Sequence, residues 1–338
     1  YRIASPDASK NTARTGRSGC FDVFRIGNDE AESFITQELL DKAAMSAGRD
    51  IKIPVYDAET VTVTTGSRAL VISDNENTSQ LMSVTKTVYD WGFTTVPARY
   101  GNNEMSLQQD FNRKFKKFHD QVIDDLDAAA EAVLNTNKSQ VFADTLLHTN
   151  SSNVITCTDA NKDRLYSDLS VIMKANKHFG MPYRLITNAG GEAILRQQEK
   201  YGQFNEQNKM IEYADKTQHF SQNIDNAADH QATGYIVMPG SLGVLFTQEP
   251  DGLLRMRSND GTEWDVDTFP TLNIPMSTYY YEGRADKSTL GGAETAHLER
   301  TKVCAYGFSL EVAFVTVYNN DLSTIANPII KWQVADPV

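Results

Sequence analysis

Between Ser106 and Asn135 nothing breaks a helix, and this stretch constrains the fold more than any other part of the chain. Leu107, Phe111, Phe115, Phe118, Val122, Leu126, Ala129 and Val133 recur at steps of three and four, the period of one apolar helix face. Ser106 followed by Gln109 is a capping-box signature that fixes the start. Roughly 30 residues of helix span about 45 Å, well beyond the usual three or four turns. A rod of that length needs a large body to lie on, and 338 residues supply roughly two domains.

The charges on this helix are sorted. Arg113, Lys114, Lys116 and Lys117 fill its first half; Asp120, Asp124, Asp125, Asp127 and Glu131 fill its second. That order opposes the helix macrodipole, which favours acids early and bases late. The pairs Asp110–Lys114 and Lys116–Asp120 recover only a few tenths of a kcal/mol each. The layout therefore points to oppositely charged surfaces, within the fold or on a neighbour, with Lys116 and Lys117 as candidate contact residues. A solvated face sorted by chance is the plain alternative.

Upstream, residues 1–28 carry Arg2, Lys10, Arg14, Arg17 and Arg25 against Asp7 and Asp22, a basic arm before an acidic body. Such an arm is either a solvated tail or a docking segment. The start at Tyr1 is compatible with proteolytic processing or simply with where the segment begins. Asp29 to Ser46 reads as a short helix, with Phe34, Ile35, Leu39, Leu40 and Ala43 on one face and Gly48 as its stop. From residue 48 to about 100 the period changes to two: Ile51-Lys52-Ile53, Val61-Thr62-Val63-Thr64 and Leu81 to Tyr89 alternate apolar with polar, around a polar bend at Ser73–Gln80. This antiparallel excursion holds few bulky residues, and a two-stranded ribbon is marginal alone in water. It needs something to lie on.

Beyond Thr156, helices and strands alternate. Lys162–Lys177 reads as a helix, Tyr183–Thr187 as a strand, and Glu192–Lys200 as a helix. Residues 203–233 are polar and read as a long surface loop. Tyr235–Met238 and Val244–Phe246 are buried-strand candidates, and Asn259–Thr262 is a turn signal. Val303–Val317 is the strongest strand, with Phe308, Leu310, Val312 and Phe314 alternating with Ser309, Glu311 and Ala313.

Little in the sequence suggests catalysis. There is no phosphate-binding Gly-Lys-Ser/Thr loop and no Gly-x-Gly-x-x-Gly. Gly240-Ser241-Leu242-Gly243 misses the nucleophile-elbow spacing and reads as a turn. Cys20, Cys157 and Cys304 lie far apart, and the six histidines show no metal-ligand spacing, His219 and His230 reading as surface residues of the polar loop. Asp265 and Asp267 would share one face of a strand and read as a solvated pair. Asn188-Ala189-Gly190-Gly191 reads as a helix cap rather than an anion site. The abundant acids do not exclude a paired-carboxylate glycosidase, though no spacing recommends one. No cofactor and no metal are expected, and no apolar run is long enough to span a membrane. A net charge of −12 argues against broad gripping of nucleic acid.

The order of elements carries more than any motif. A basic arm, a short helix, a long β excursion, a very long amphipathic helix, a compact αβ segment and long late strands together resemble the capsid proteins of tailed double-stranded DNA phages. The resemblance implies an α+β chain of the Hong Kong 97-type fold, with N-arm, extended β loop, spine helix, peripheral domain and axial domain. On this chain the arm would be 1–28, the short helix 29–47 and the extended loop with its roots 48–100. The peripheral domain with its spine helix would be 101–150, the mainly axial domain 151–300, and strands returning to the peripheral domain 301–338. It further implies a structural protein, not an enzyme, that self-assembles into pentamers and hexamers of an icosahedral virion shell. Such a shell would be built in the host bacterial cytoplasm and enclose DNA without specific recognition, with portal, scaffold or decoration proteins as partners. Arg68, Leu70 and Ile72, near the bend of the excursion, join Lys116 and Lys117 as expected subunit-interface residues. An encapsulin-like compartment shell is the nearest alternative. A β-rich carbohydrate-binding or carbohydrate-active protein, drawing on Trp91, Trp264 and Tyr279–Tyr281, is the alternative from another class.

Overall fold

The computed structural model describes residues 19–29, 33–45, 50–56, 79–97, 100–101, 106–141, 146, 148–201, 215–247, 262–270, 272, 274–285, 301–317 and 326–337. In chain order the elements are α1 (Gly19–Asp29), α2 (Gln37–Met45), β1 (Asp50–Tyr56), β2 (Ser79–Thr85), β3 (Thr87–Thr95) and α3 (Leu107–Asn137). Next come β4 (Thr149–Ser151), β5 (Val154–Cys157), α4 (Lys162–Ala175), β6 (Tyr183–Thr187), α5 (Ala189–Tyr201) and β7 (Lys216–Phe220). The chain continues with β8 (His230–Val237), β9 (Leu242–Phe246), β10 (Thr262–Phe269), β11 (Ile274–Ala285), β12 (Thr301–Thr316) and β13 (Ile329–Ala335). The expected mixture of helix and sheet is what forms.

Three sheets organise the chain. A two-stranded ribbon pairs β1 with β2, a five-stranded sheet runs β10-β11-β12-β3 with β9 also on β12, and a six-stranded sheet runs β4-β5-β13-β8-β6-β7. The long strand β12 pairs with β11 along its first half, with β3 through its middle, and with β9 at its end. Its alternation is as the sequence reads up to Val312, but Ala313 and Val315 are buried too. There β12 is covered on both faces: Leu310 and Val312 join one core, while Ala313 and Val315 join another with the ribbon.

The first core lies between α3, α1 and the five-stranded sheet. The capping box at Ser106 forms in both directions, Gln109 N–H donating to Ser106 Oγ at 3.2 Å and Ser106 N–H to Gln109 Oε1 at 2.9 Å. Phe111, Phe115 and Phe118 are half-buried against an aromatic layer of Phe93, Tyr306 and Phe308. In the second half of α3 the buried face shifts by one residue, to Ile123, Asp127, Ala130 and Leu134 in place of Ala129 and Val133. The cause is α1, which packs on that half.

Helix α1 corrects the expected arm. Residues 19–29 are not a tail: Cys20, Phe21, Val23 and Phe24 are all buried. Averaging charge over residues 1–28 hid this short apolar face. Gly27 lets α1 touch β9 main chain to main chain, since a Cβ there would lie 2.2 Å from the Leu242 carbonyl oxygen. The second helix also starts later than expected, at Gln37. Phe34 N–H is committed to the Gly240 carbonyl at 3.1 Å, and Thr36 Oγ1 caps Leu39 N–H at 3.3 Å.

The second core is the six-stranded sheet with α4 and α5, centred on Trp332, Tyr166, Tyr183 and Leu185. Helix α5 begins at Ala189, three residues earlier than read, because Asn188 Oδ1 accepts from Gly191 N–H at 3.0 Å. The polar stretch expected as a loop over 203–233 contains strand β7, parallel to β6, and the start of β8. Parts of it are used inside: the polar Ser221 is fully buried, and the apolar Ile224 nearly so. Strand β13 lies in this sheet between β5 and β8, so the expected grouping of 301–338 divides between two sheets. The turn signal at Asn259–Gly261 lies outside the described residues.

Candidate functional site

Two features stand out from the compact cores: the root of the β1–β2 ribbon and the outward face of α3. The ribbon pairs Ile51 with Val84 and Ile53 with Met82, and ends its described length at Tyr56 opposite Ser79. Period-two alternation gives it one apolar face, and Ile51, Ile53 and Val84 bury that face against Ile35, Ala43, Leu245, Ala313 and Val315. The other face is open, with Lys52, Ser83 and Thr85 exposed and Leu81 66% exposed. Residues 57–78, and with them the candidate contacts Arg68, Leu70 and Ile72, lie outside the described residues.

Lys86 fixes the root. It is the single residue between β2 and β3, its side chain is buried, and its Nζ donates to the Ala43 carbonyl at 2.8 Å. Burial lowers its pKa, and Glu311 opposes that shift. The ammonium thus ties the last turn of α2 to the ribbon, where a helix leaves carbonyls unpaired. Lys86→Ala is expected to cost about 2 kcal/mol, the worth of a hydrogen bond to a charged group. Hydrogen exchange should then show faster amide exchange in both 37–45 and 79–85; unchanged protection in both would contradict the tie.

On α3, one continuous stripe faces outward: Gln109, Arg113, Lys116, Lys117, Gln121, Asp125, Ala128, Ala132 and Thr136 are exposed. Asp120 joins its edge with a side chain 44% exposed. The sequence expectation for Lys116 and Lys117 thus finds both on the outward face of one helix. Lys114 turns inward, 2.8 Å from Asp110 and donating to the Thr94 carbonyl at 3.0 Å. Asp120 lies 3.6 Å from His119, whose ring stacks on Phe269. Of the later acids, Asp124 accepts from Gln222, Glu131 from Tyr235, and Asp127 is wholly inside.

Asp110, at the start of α3, is held to about 2 by hydrogen bonds from Lys114 and Tyr100, with Arg113 adding to them. A carboxyl lowered in this way contributes stability above its ordinary value of 3.8, and that contribution is lost as pH falls toward about 2. Asp110→Asn should therefore flatten the acid limb of the stability curve between about pH 4 and pH 2, measured as the urea midpoint. An unchanged acid limb would contradict the assignment.

The residues that sequence reading weighed for chemistry are used structurally. Asp265 and Asp267 each accept from the next backbone N–H on β10, at 2.9 and 2.7 Å. Ser241 Oγ donates to the Met238 carbonyl in a turn completed by Gly240 at φ 72°. The glycines after Asn188 serve close packing; a Cβ at Gly190 would lie 1.8 Å from the Gln231 carbonyl oxygen. His219 corrects its surface expectation: burial, the larger cause, and nearby Arg184 lower its pKa to about 4. It lies on β7, a strand the polar composition concealed. His148 is buried with Nε2 3.1 Å from Asp168. The three cysteines are free and buried, and burial raises the Cys157 thiol to about 12. Among the described residues no group of three or more His, Cys, Asp or Glu is placed to hold a metal ion, and no described helix is long and apolar enough to cross a membrane.

Of the aromatic residues of the carbohydrate alternative, the Trp264 side chain lies outside the described residues. Trp91 is buried and stacks on Phe308 at 5.7 Å, Tyr279 and Tyr280 are half-buried on β11, and Tyr281 is exposed. The residue that sequence reasoning missed is Asp127. Its signal was positional, an acid in register with Ile123, Ala130 and Leu134 on an apolar face.

No protein-family model matches the sequence, and no curated protein matches it. Solved structures do. The chain is similar to a structure from Mycobacterium phage Che8, with 10% identity over 88% of each chain and a TM-score of 0.49. It is similar to one from Mycobacterium phage Bobi, with 12% identity over 96% of this chain and 91% of that one and a TM-score of 0.48. It is also similar to the capsid structure of the cyanophage P-SCSP1u, with 8% identity over 87% of this chain and 85% of that one and a TM-score of 0.47.

Proposed function

We propose that this chain is a shell subunit, the major capsid protein of a tailed double-stranded DNA phage, built on the Hong Kong 97-type plan. The observation that carries the reading is the ribbon. Strands β1 and β2 are rooted in the core through Ile51, Ile53 and Val84, and the chain goes on through β3 to the 31-residue helix α3. A two-stranded ribbon is marginal by itself in water, and its open face, with Lys52, Ser83 and the 66% exposed Leu81, suits a surface supplied from another copy. In this reading the five-stranded sheet with α3 is the peripheral domain and the six-stranded sheet with α4 and α5 is the axial domain. Arg68, Leu70, Ile72, Lys116 and Lys117 belong to the contacts between copies.

The subunit acts by assembling, not by catalysis. Five or six copies form each capsomer, and capsomers close an icosahedral virion shell in the host bacterial cytoplasm, with portal, scaffold or decoration proteins as partners. The net charge of −12 suits a container that encloses DNA without gripping it.

Replacing residues 57–78 by a two-residue Asn-Gly turn between Tyr56 and Ser79 tests the reading, since that turn closes a hairpin without disturbing its register. The shortened chain should fold with an unchanged melting midpoint and fail to close shells, as seen by electron microscopy. Shells of normal size from the shortened chain would contradict the role of the ribbon.

A further inference from the structure

We infer that the turn between α4 and β6 is a knob that seats, head to tail, on an acidic surface of a second copy of this chain. The inference rests on the shell reading, from which it takes the second copy as the partner.

The knob is built on a closed helix end. Lys177 takes the left-handed conformation at φ 67°, its N–H donates to the Lys174 carbonyl at 2.9 Å, and His178 N–H donates to the Met173 carbonyl at 3.0 Å. These bonds use carbonyls that a helix end otherwise leaves open. His178 is buried, and its own carbonyl accepts from the hydroxyl of the buried Tyr183 at 2.7 Å. Between these anchors Gly180 rests just beyond β8: a Cβ there would lie 3.1 Å from Met238 Cγ and 3.5 Å from Pro239 Cγ. Phe179 and Met181, on either side of it, are 69% and 53% exposed. Val171 and Ala175, one turn apart and both exposed, continue the apolar surface back along α4. Large apolar side chains held outward on a fixed backbone lose little freedom on docking, as an anchor requires.

Charge says what the knob meets. Lys174 and Lys177 flank it; both are exposed, and among the described residues neither is in an ion pair. Asp215, beside Tyr183, is committed to Ser170 at 2.5 Å and to Lys216 at 3.0 Å. The chain as a whole carries −12, so a second copy is itself an acidic partner. Knob on knob across a two-fold axis would set these lysines against their own counterparts. The contact is therefore heterologous, with knob and seat on different surfaces, and such a contact repeats into a closed ring or an open filament. Rings of five or six copies are what the shell reading needs. Size agrees with this. A stable two-body interface engages about 20 residues a side, far more than the knob offers, so it acts together with the other contacts of a ring.

The test uses the full chain unaltered, as Phe179→Ser/Met181→Ser, and as Lys174→Gln/Lys177→Gln. Each replaced side chain is exposed, so the melting midpoint should be unchanged. Electron microscopy and light scattering read the protein concentration at which rings or shells appear. The apolar variant should raise that threshold about tenfold at every salt concentration. The lysine variant should raise it about threefold at low salt and leave it unchanged at high salt. An apolar variant with the threshold of the unaltered chain would overturn the knob. A lysine variant with that threshold at low salt would overturn its acidic seat.

A second readout follows the knob itself. Phe179→Cys carries an environment-sensitive dye and is mixed as a minor fraction into the unaltered chain, whose three cysteines are buried. Assembly should shift the dye emission to the blue. Shells that close without any shift would overturn the contact and leave the shell reading standing. An unaltered chain that forms no ring or shell would overturn the shell reading and this contact with it. Binding to phosphatidylglycerol vesicles that the apolar variant loses, while its assembly is intact, would assign the knob to a lipid surface and overturn the inference.

Discussion

Asp127→Ala is expected to lower stability by about 3–5 kcal/mol, a large part of the ~5–15 kcal/mol that holds a domain folded. Asp127 is fully buried midway along α3 and joins three parts of the chain. Its Oδ1 accepts from Phe21 N–H of α1 at 3.0 Å, and its Oδ2 accepts from Ser221 Oγ at 2.5 Å and from Asn223 Nδ2 at 2.9 Å, just after β7. Burial, the largest influence, pushes its carboxyl above the usual range, while these donors pull the other way. Truncation would leave Phe21 N–H and Ser221 Oγ, both buried, without this acceptor, each with its own desolvation cost, while Asn223 Nδ2 keeps the Asp124 carbonyl at 3.3 Å. Asp127→Asn keeps one acceptor oxygen and should lose about half as much. The Ala variant should show its fastest hydrogen exchange in 19–29, because α1 loses its polar anchor. A loss under about 1 kcal/mol in urea unfolding would contradict this account.

Trp332→Ala should cost about as much, some 3–5 kcal/mol, through cavity formation. The indole of β13 is fully buried and meets Tyr166 edge-on at 5.5 Å. Two glycines make its space. A Cβ at Gly234 would lie 2.4 Å from the Trp332 ring and 2.3 Å from the Ile186 carbonyl oxygen, and one at Gly191 would lie 2.9 Å from the ring. No smaller residue at 332 can fill that volume, and no larger one fits at 234. Among the described residues the buried indole N–H has no hydrogen-bond partner. Trp332→Phe therefore keeps a ring and removes an unpaired donor, and should cost under about 1.5 kcal/mol. Equal losses for Ala and Phe would place the energy elsewhere than in ring packing.

These two anchors show where sequence reading works on this chain. Helix α3 was legible because its information is local: a capping box and an apolar period that no glycine or proline interrupts. The ribbon root was legible because Ile51, Ile53 and Val84 follow the period of a half-buried strand. Helix α1 was obscured because Cys20, Phe21 and Phe24 sit at the end of a basic segment whose average composition speaks for a tail. Strand β7 was missed because Lys-Thr-Gln-His-Phe has little apolar period; it is held by main-chain pairing to β6 and by buried polar contacts, which depend on residues far away in sequence. Asp127 was counted among the acids of a charged helix half, although its position relative to Leu134 marks it as inward. The outward placement of Lys116 and Lys117 followed from the helix period alone. The period says which way they face and not what they meet.

The measurement that bears most directly on the central claim is electron microscopy of the purified full chain, with light scattering, across protein concentration and salt. Closed shells, or rings of five or six copies that convert to shells, are the predicted result. A monodisperse monomer under every condition, with or without the other proteins of its particle, would contradict the claim that this chain works by building a shell.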